Sequence, residues 1–421
     1  MNSISGSEGA IEAPSEDFMI IKVTCLGLLL LISCAAFAQE SVIYQFGATG
    51  SADGATPNGG LIFDQAGNIY GTTEVGGVEG AGIAFELSPA QGGTWKETIL
   101  YNFCSVGSGC LDGGIPLGGF ALDAIGNLYG TTKFGGANGE GTVFELSPPF
   151  QKGGSWMEQV LWSFGDAGDG LEANGGLAMD GVGNLYGTTQ AGTVGAGAGV
   201  VFELTPGQNG WTESILHAFC LNYPDCSDGA QPLAGVTFDK AGNLYGTTYA
   251  GGQSHGVGWG VTYELSPTQN GWKETVLDVF SSAKGGRSTA GVTFDPEGHL
   301  YGSVELGGKA QCGGIFRVSP PGSFSLSGGN GCQPQASVLY SDGALYSTSW
   351  LGGAYSEGAI FKLTQKGNTV NETVLHSFCE QASCADGSEP NGSLTLKNGQ
   401  LYGATALGGA NNTGLIYQIP E

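Results

Sequence analysis

One stretch returns seven times along the chain and constrains everything around it. Its cleanest copy is Gly242-Asn243-Leu244-Tyr245-Gly246-Thr247-Thr248, and the others begin at Gly67, Gly126, Gly183, Gly298, Gly343 and Gly399. The last three degenerate to Gly-His-Leu-Tyr-Gly-Ser, Gly-Ala-Leu-Tyr-Ser-Thr and Gly-Gln-Leu-Tyr-Gly-Ala. Successive starts lie 59, 57, 59, 56, 45 and 56 residues apart, which marks a repeat architecture.

The unit from Leu233 to Phe280 shows what repeats. Ala234 to Phe238 alternates and carries β-branched residues, predicting a first strand, a. Asp239 to Gly242 is a turn, and Asn243 to Thr248 forms strand b. Strand c follows at Val261 to Leu265 and ends before Pro267, which cannot donate to a ladder. Trp272 to Phe280 forms strand d. Four strands per unit predict propeller blades; a solenoid usually has a shorter period. The last unit holds a (Leu394 to Leu396), b (Gln400 to Thr405) and c (Leu415 to Ile419) but no d. Its missing strand is matched by Ser41-Val42-Ile43-Tyr44-Gln45-Phe46, which reads like Thr98 to Phe103 of a strand d. We therefore expect an all-β, seven-bladed propeller of four-stranded antiparallel blades over 39–421, closed by strand 41–46.

The repeat also resembles a known family. Gly-Asn-Leu-Tyr-Gly-Thr-Thr, then Gly-Gly, then Gly141 to Leu146 (Gly-Thr-Val-Phe-Glu-Leu), then Trp and Glu-Thr-Val-Leu, is similar to the GloVer tandem repeat of exported bacterial proteins. The resemblance runs from about Ser41 to Glu421. In that family sorting anchors follow the repeats; here the last repeat runs to Glu421 and no anchor is expected, and the unit from Gly291 lacks the Trp and Glu-Thr-Val-Leu strand. The resemblance implies export and repeats, and it assigns no reaction and no catalytic residue.

The amino end reads as an address. Residues 19–38 are an apolar run led by Lys22, with Ala36-Phe37-Ala38 as a small-x-small cleavage site. The preceding Glu8, Glu12, Glu16 and Asp17 do not suit a leader, so translation is expected to start at Met19 and the segment 1–38 to be removed. Leu31-Ile32-Ser33-Cys34 also resembles a lipobox, and a lipid on Cys34 would tether the first strand within roughly 20 Å. We expect a secreted, periplasmic or cell-surface monomer without a transmembrane span. The eight cysteines beyond the leader pair by proximity: Cys104 with Cys110, Cys220 with Cys226, Cys312 with Cys332, and Cys379 with Cys384. With no histidine or third cysteine beside any pair, disulfides are expected rather than zinc.

Chemistry is sparse. The net charge of −25 repels phosphate backbones and argues against nucleic acid. No nucleophile elbow, HExxH, Walker or dinucleotide fingerprint is present, and no cofactor or metal is expected. In a meander the a–b turns and c–d loops share one face, and the b–c and d–a loops share the other. Asp64, Asp123, Asp180, Asp239 and Asp295 read as turn formers. His217, His299 and His376 lie in strands and read as structural. The other face varies, with Phe134, His255, Trp259 and Trp350 in its b–c loops. Its d–a loops repeat Asp-Gly at Asp53, Asp112, Asp169, Asp228 and Asp386, read as turns or as a negative ring at the channel mouth. The expectation is a binding scaffold for a glycan or an extracellular protein. Phe134, Trp259 and Trp350 would make the contacts, with Asp112, Asp169 and Asp228 nearer the channel. The alternative is a polysaccharide hydrolase or lyase with carboxylates at the channel.

Overall fold

The computed structural model describes residues 40–421 except 48–49, 51, 152, 167, 193, 254–257, 319–321, 326–329 and 367–368, and they form one compact unit from Glu40 to Glu421. Met19, Cys34, the expected cleavage site and His255 lie outside the described residues.

Seven antiparallel sheets follow one another along the chain. Blade 4 has strands at Thr237–Phe238, Leu244–Thr247, Val261–Thr268 and Gly271–Val279, close to the boundaries the sequence predicts. Blade 5, whose Trp and Glu-Thr-Val-Leu are missing, keeps a fourth strand at Gly322–Ser325.

The recurring motif is a list of contacts. Its second glycine lies under the aromatic ring of strand c. A Cβ on Gly71, Gly130, Gly187, Gly246, Gly302 or Gly403 would stand 2.3–2.6 Å from that ring, so no larger residue fits without displacing it. The threonine after it reaches into the next blade: Thr131 Oγ1 donates to Gly175 O (3.0 Å), Thr188 to Ala234 O (2.8 Å) and Thr247 to Ala290 O (2.9 Å). The second threonine turns back, as when Thr189 Oγ1 donates to Ala191 O and Thr248 Oγ1 to Ala250 O. Hydroxyls are found here because buried carbonyls need donors.

The core lies between blades. In blades 1–4 and 6 the phenylalanine after strand d packs on the strand-c aromatic of the next blade: Phe103 on Phe144, Phe164 on Phe202, Phe219 on Tyr263, Phe280 on Phe316 and Phe378 on Tyr417. Phe46 meets Phe85 in the same way, at 5.2 Å, so the first residues of the propeller join the last blade to the first. Ser41–Gln45 pairs with Leu415–Pro420 and carries the bulge that the d strands of blades 1–4 and 6 carry. Thr395 Oγ1 adds a hydrogen bond to Leu61 O (2.6 Å) across the same junction. The ring is closed.

Candidate functional site

The turn face is built alike in blades 1–4. In blade 4, Asp239 Oδ1 accepts from Ala241 N and Asn243 N, while Oδ2 accepts from Asn243 Nδ2 (2.8 Å) and Tyr245 OH (3.2 Å). Asp64, Asp123 and Asp180 repeat the pattern with Asn68 and Tyr70, Asn127 and Tyr129, and Asn184 and Tyr186. Burial works against the Asp239 charge, but these donors outweigh it and hold the carboxyl below its usual range. Blade 5 differs: His299 replaces the asparagine and donates Nδ1–H to Asp295 Oδ2 (2.7 Å). Asp295, Glu297 and His299 bring ligand atoms within 4.8 Å of one another, and among the described residues this is the one such group. Sequence reasoning missed it because Asp295 and His299 read singly as turn and strand residues.

On the opposite face the loop aspartates are engaged by their own chain. Asp112 is 2% exposed and accepts from Tyr101 OH, Ser105 N, Ser105 Oγ and Val106 N. Asp169 accepts from Trp162 Nε1, and Asp228 from Cys220 N with His217 Nε2 at 3.2 Å. Three of the four disulfides sit in these loops, and Cys312–Cys332 ties a b–c loop to the next d–a loop; all four have the expected partners.

Behind each aspartate stands a glutamate from the next blade. Tyr44 OH donates to Glu97 (2.8 Å) and also lies 3.3 Å from Asp53 Oδ2, between two carboxylates. Burial, with Asp53 adding its charge, pushes Glu97 up to about 7; burial and Asp112 push Glu158 to about 7. Glu213 beside Asp169 and Glu40 beside Asp386 rise to about 8, again chiefly through burial. Glu274, near His217 and Asp228, is raised as well. One oxygen of each of these five glutamates meets no donor. A carboxyl in that setting gives up its proton at higher pH than a free glutamate does, since two close carboxylates cannot both ionise cheaply.

The channel mouth is ringed by one residue per blade: Asn58, Leu117, Asn174, Leu233, Thr289, Gln335 and Asn391, with Lys133 and Gln190 beside them. Each lies five residues past an Asp-Gly aspartate where that motif exists, so aligning the units would have found the ring. Two residues earlier stand Thr56, Ile115, Glu172, Gln231, Arg287, Gln333 and Glu389, all left-handed with φ of 55–64°. Their N–H groups stitch to the preceding blade, as from Ile115 to Ala81 O and Glu172 to Glu140 O. Glycine would hold this backbone with less strain, yet every blade carries a side chain there.

Two of the three sequence-predicted aromatics come to this rim. Trp259 O accepts from Arg287 N, and the Arg287 guanidinium lies 4.9 Å from the Tyr249 ring and 5.8 Å from Trp259. Trp350 N donates to Gln333 O (3.0 Å). Phe134 pairs with Gly114 at the base of its loop, its ring filling the space of the absent Gly114 side chain. Glu172 pairs with Lys133 at 3.7 Å, and Gln335 donates to Glu305. The rim is polar, mixed in charge and carries aromatic rings.

Among the described residues no helix is long and apolar enough to cross a membrane. No curated protein matches the chain. Its fold is similar to PorZ, an essential bacterial surface component of the type-IX secretion system of Porphyromonas gingivalis, with a TM-score of 0.51 and 15% identity. That likeness covers 86% of this chain and 46% of PorZ, so the chain spans about half of PorZ's length. A protein of unknown function from Dyadobacter fermentans aligns over 90% of this chain and 97% of its own, at 12% identity and a TM-score of 0.44. The family model for the Gloeobacter/Verrucomicrobia repeat matches residues 33–257 and 256–421. Repeat motif, blade and family model agree, and the chain belongs to the Gloeobacter/Verrucomicrobia repeat family.

Proposed function

We propose that this protein is an exported propeller that binds a neutral, hydroxyl-rich ligand of the glycan type at the channel mouth. One observation carries the reading: the mouth is a ring of amides and a hydroxyl, Asn58, Asn174, Gln335, Asn391 and Thr289, set between Leu117 and Leu233. Amides donate and accept, so they match hydroxyl groups, which do both. Trp259 and Trp350 offer ring faces beside it, and Phe134 supports the neighbouring loop. Asp112, Asp169 and Asp228 serve the same site from behind by fixing the loops that carry Leu117, Asn174 and Leu233. Export accords with four disulfides and with the repeat family.

The test is a screen of neutral and acidic polysaccharides with turnover followed in the same samples. Saturable binding to a neutral glycan, lost in Trp350→Ala and Asn174→Ala, is the expected result. Binding that survives both replacements puts the site elsewhere. Accumulation of soluble sugar products replaces the scaffold reading with a hydrolase or lyase.

A further inference from the structure

A second place of interest lies on the turn face, where blade 6 carries a valine at the register position that holds tryptophan in blades 1–4. In three junctions the motif tyrosine is covered by a tryptophan from the next blade's strand d: Tyr70 by Trp156, Tyr129 by Trp211 and Tyr186 by Trp272, at 6.0–6.4 Å between ring centres. That tryptophan has a fixed register, opposite Pro89 as Trp95, opposite Pro206 as Trp211 and opposite Pro267 as Trp272. In blade 6 the same register position, opposite Gln365, is Val370. Tyr301 of blade 5 therefore lacks an indole above it, and a small cleft of about 200 Å³ opens there.

The cleft differs from its siblings in more than the missing ring. Its apolar floor is Tyr301, Leu345, Leu363 and Val370. Tyr340 lies nearly parallel to Tyr301, at 6.4 Å and 20°, where Phe238 and Phe294 stand edge-on to their tyrosines at 5.0 Å. Its polar wall departs from the repeat at each point. His299 replaces asparagine, Arg317 replaces the strand-c glutamate of blades 1–4, and Glu297 replaces a small or aliphatic residue. Arg317 Nη1 donates to Gln365 Oε1 (3.3 Å), and Asp295 is taken up by His299 and Tyr301. Glu297 is exposed at the mouth. The wall thus offers a carboxylate beside a slot shaped by the fold for an indole.

We propose that this cleft binds a small indolic amine, its ring seated on Tyr301 in place of the repeat's tryptophan and its ammonium against Glu297. The warrant for the ring is internal to the molecule: three equivalent slots hold one. The warrant for the amine is the exposed carboxylate and a net charge of −25.

The experiment titrates wild type, Val370→Trp and Glu297→Gln with tryptamine, indole-3-acetate and N-acetyltryptophanamide, followed by ligand-detected NMR. Val370→Trp rebuilds a pairing the fold already uses, so it should fold with an unchanged or raised Tm. Wild type should bind tryptamine saturably and prefer it to indole-3-acetate. Val370→Trp should weaken tryptamine at least about tenfold. Glu297→Gln should weaken tryptamine several-fold while N-acetyltryptophanamide is unaffected, and this arm stands even if Val370→Trp does not fold. Tryptamine binding that is equal in wild type and Val370→Trp overturns the site. Preference for N-acetyltryptophanamide with no effect of Glu297→Gln overturns the amine and points to a tryptophan of a protein partner. No binding of any probe at millimolar concentration overturns the proposal outright.

Discussion

The a–b turns and the blade junctions both repeat a carboxylate around the ring, and they treat it in opposite ways. A turn aspartate such as Asp239 is surrounded by donors, two N–H groups, an amide and a phenol, and is held ionised. A junction glutamate such as Glu158 is buried against a second carboxylate, and one of its oxygens meets no donor. The same functional group thus stiffens a loop in one region and is biased toward its protonated form in the other. What decides is the number of donors supplied locally, not the depth of burial alone.

The largest consequence is a stability profile tilted toward acid. Junction glutamates have folded pKa values raised from 4.5 to about 7–8, so their contribution is whole below about 4.5 and is lost as pH rises through 7–8. Asp239 and Asp295 have theirs lowered from 3.8, so their contribution is present above that value and is lost as pH falls through the folded pKa. Thermal unfolding from pH 3 to pH 9 should therefore give a Tm that is highest near about pH 5 and falls steadily by pH 8. A plateau extending through pH 8 breaks the comparison.

Next in size is the loss of a turn. Asp239→Ala removes an acceptor from four donors in a structured hairpin and should cost about 1–3 kcal/mol, read as a lower denaturant midpoint at pH 7 with unchanged m-value. Smaller, and opposite in sign, is Glu158→Gln. It should raise Tm at pH 8, where the native carboxyl must give up its proton, and leave Tm at pH 5 unchanged. A uniform loss at both pH values would mean that Glu158 is packed rather than protonated. Smallest is the exposed rim residue Gln231, whose replacement by alanine should shift stability by less than about 0.5 kcal/mol. Its effect belongs to binding.

How much of this was legible follows from range along the chain. Strands a to d were readable because alternation, glycine and proline act locally. Strand 41–46 was readable because it copies Thr98 to Phe103 residue for residue in pattern. The loop aspartates were visible too, but their partners were not. Glu158 lies 46 positions beyond Asp112 and meets it only through the packing of one blade on the next. The mouth ring was within reach by alignment of the units, whereas attention fell on aromatics because they are rare. Val370 carried a signal of absence, a valine where blades 1–4 place tryptophan, and absence is visible only once the register is fixed.

The division of labour between the two faces is the centre of the account, and amide deuterium exchange with and without a bound neutral polysaccharide tests it most directly. Protection is predicted in the segments that build the mouth, around 56–58, 172–174, 231–233, 287–289 and 333–335, with turns such as 239–243 unchanged. Protection concentrated on the turns, with the mouth segments unaffected, would contradict it.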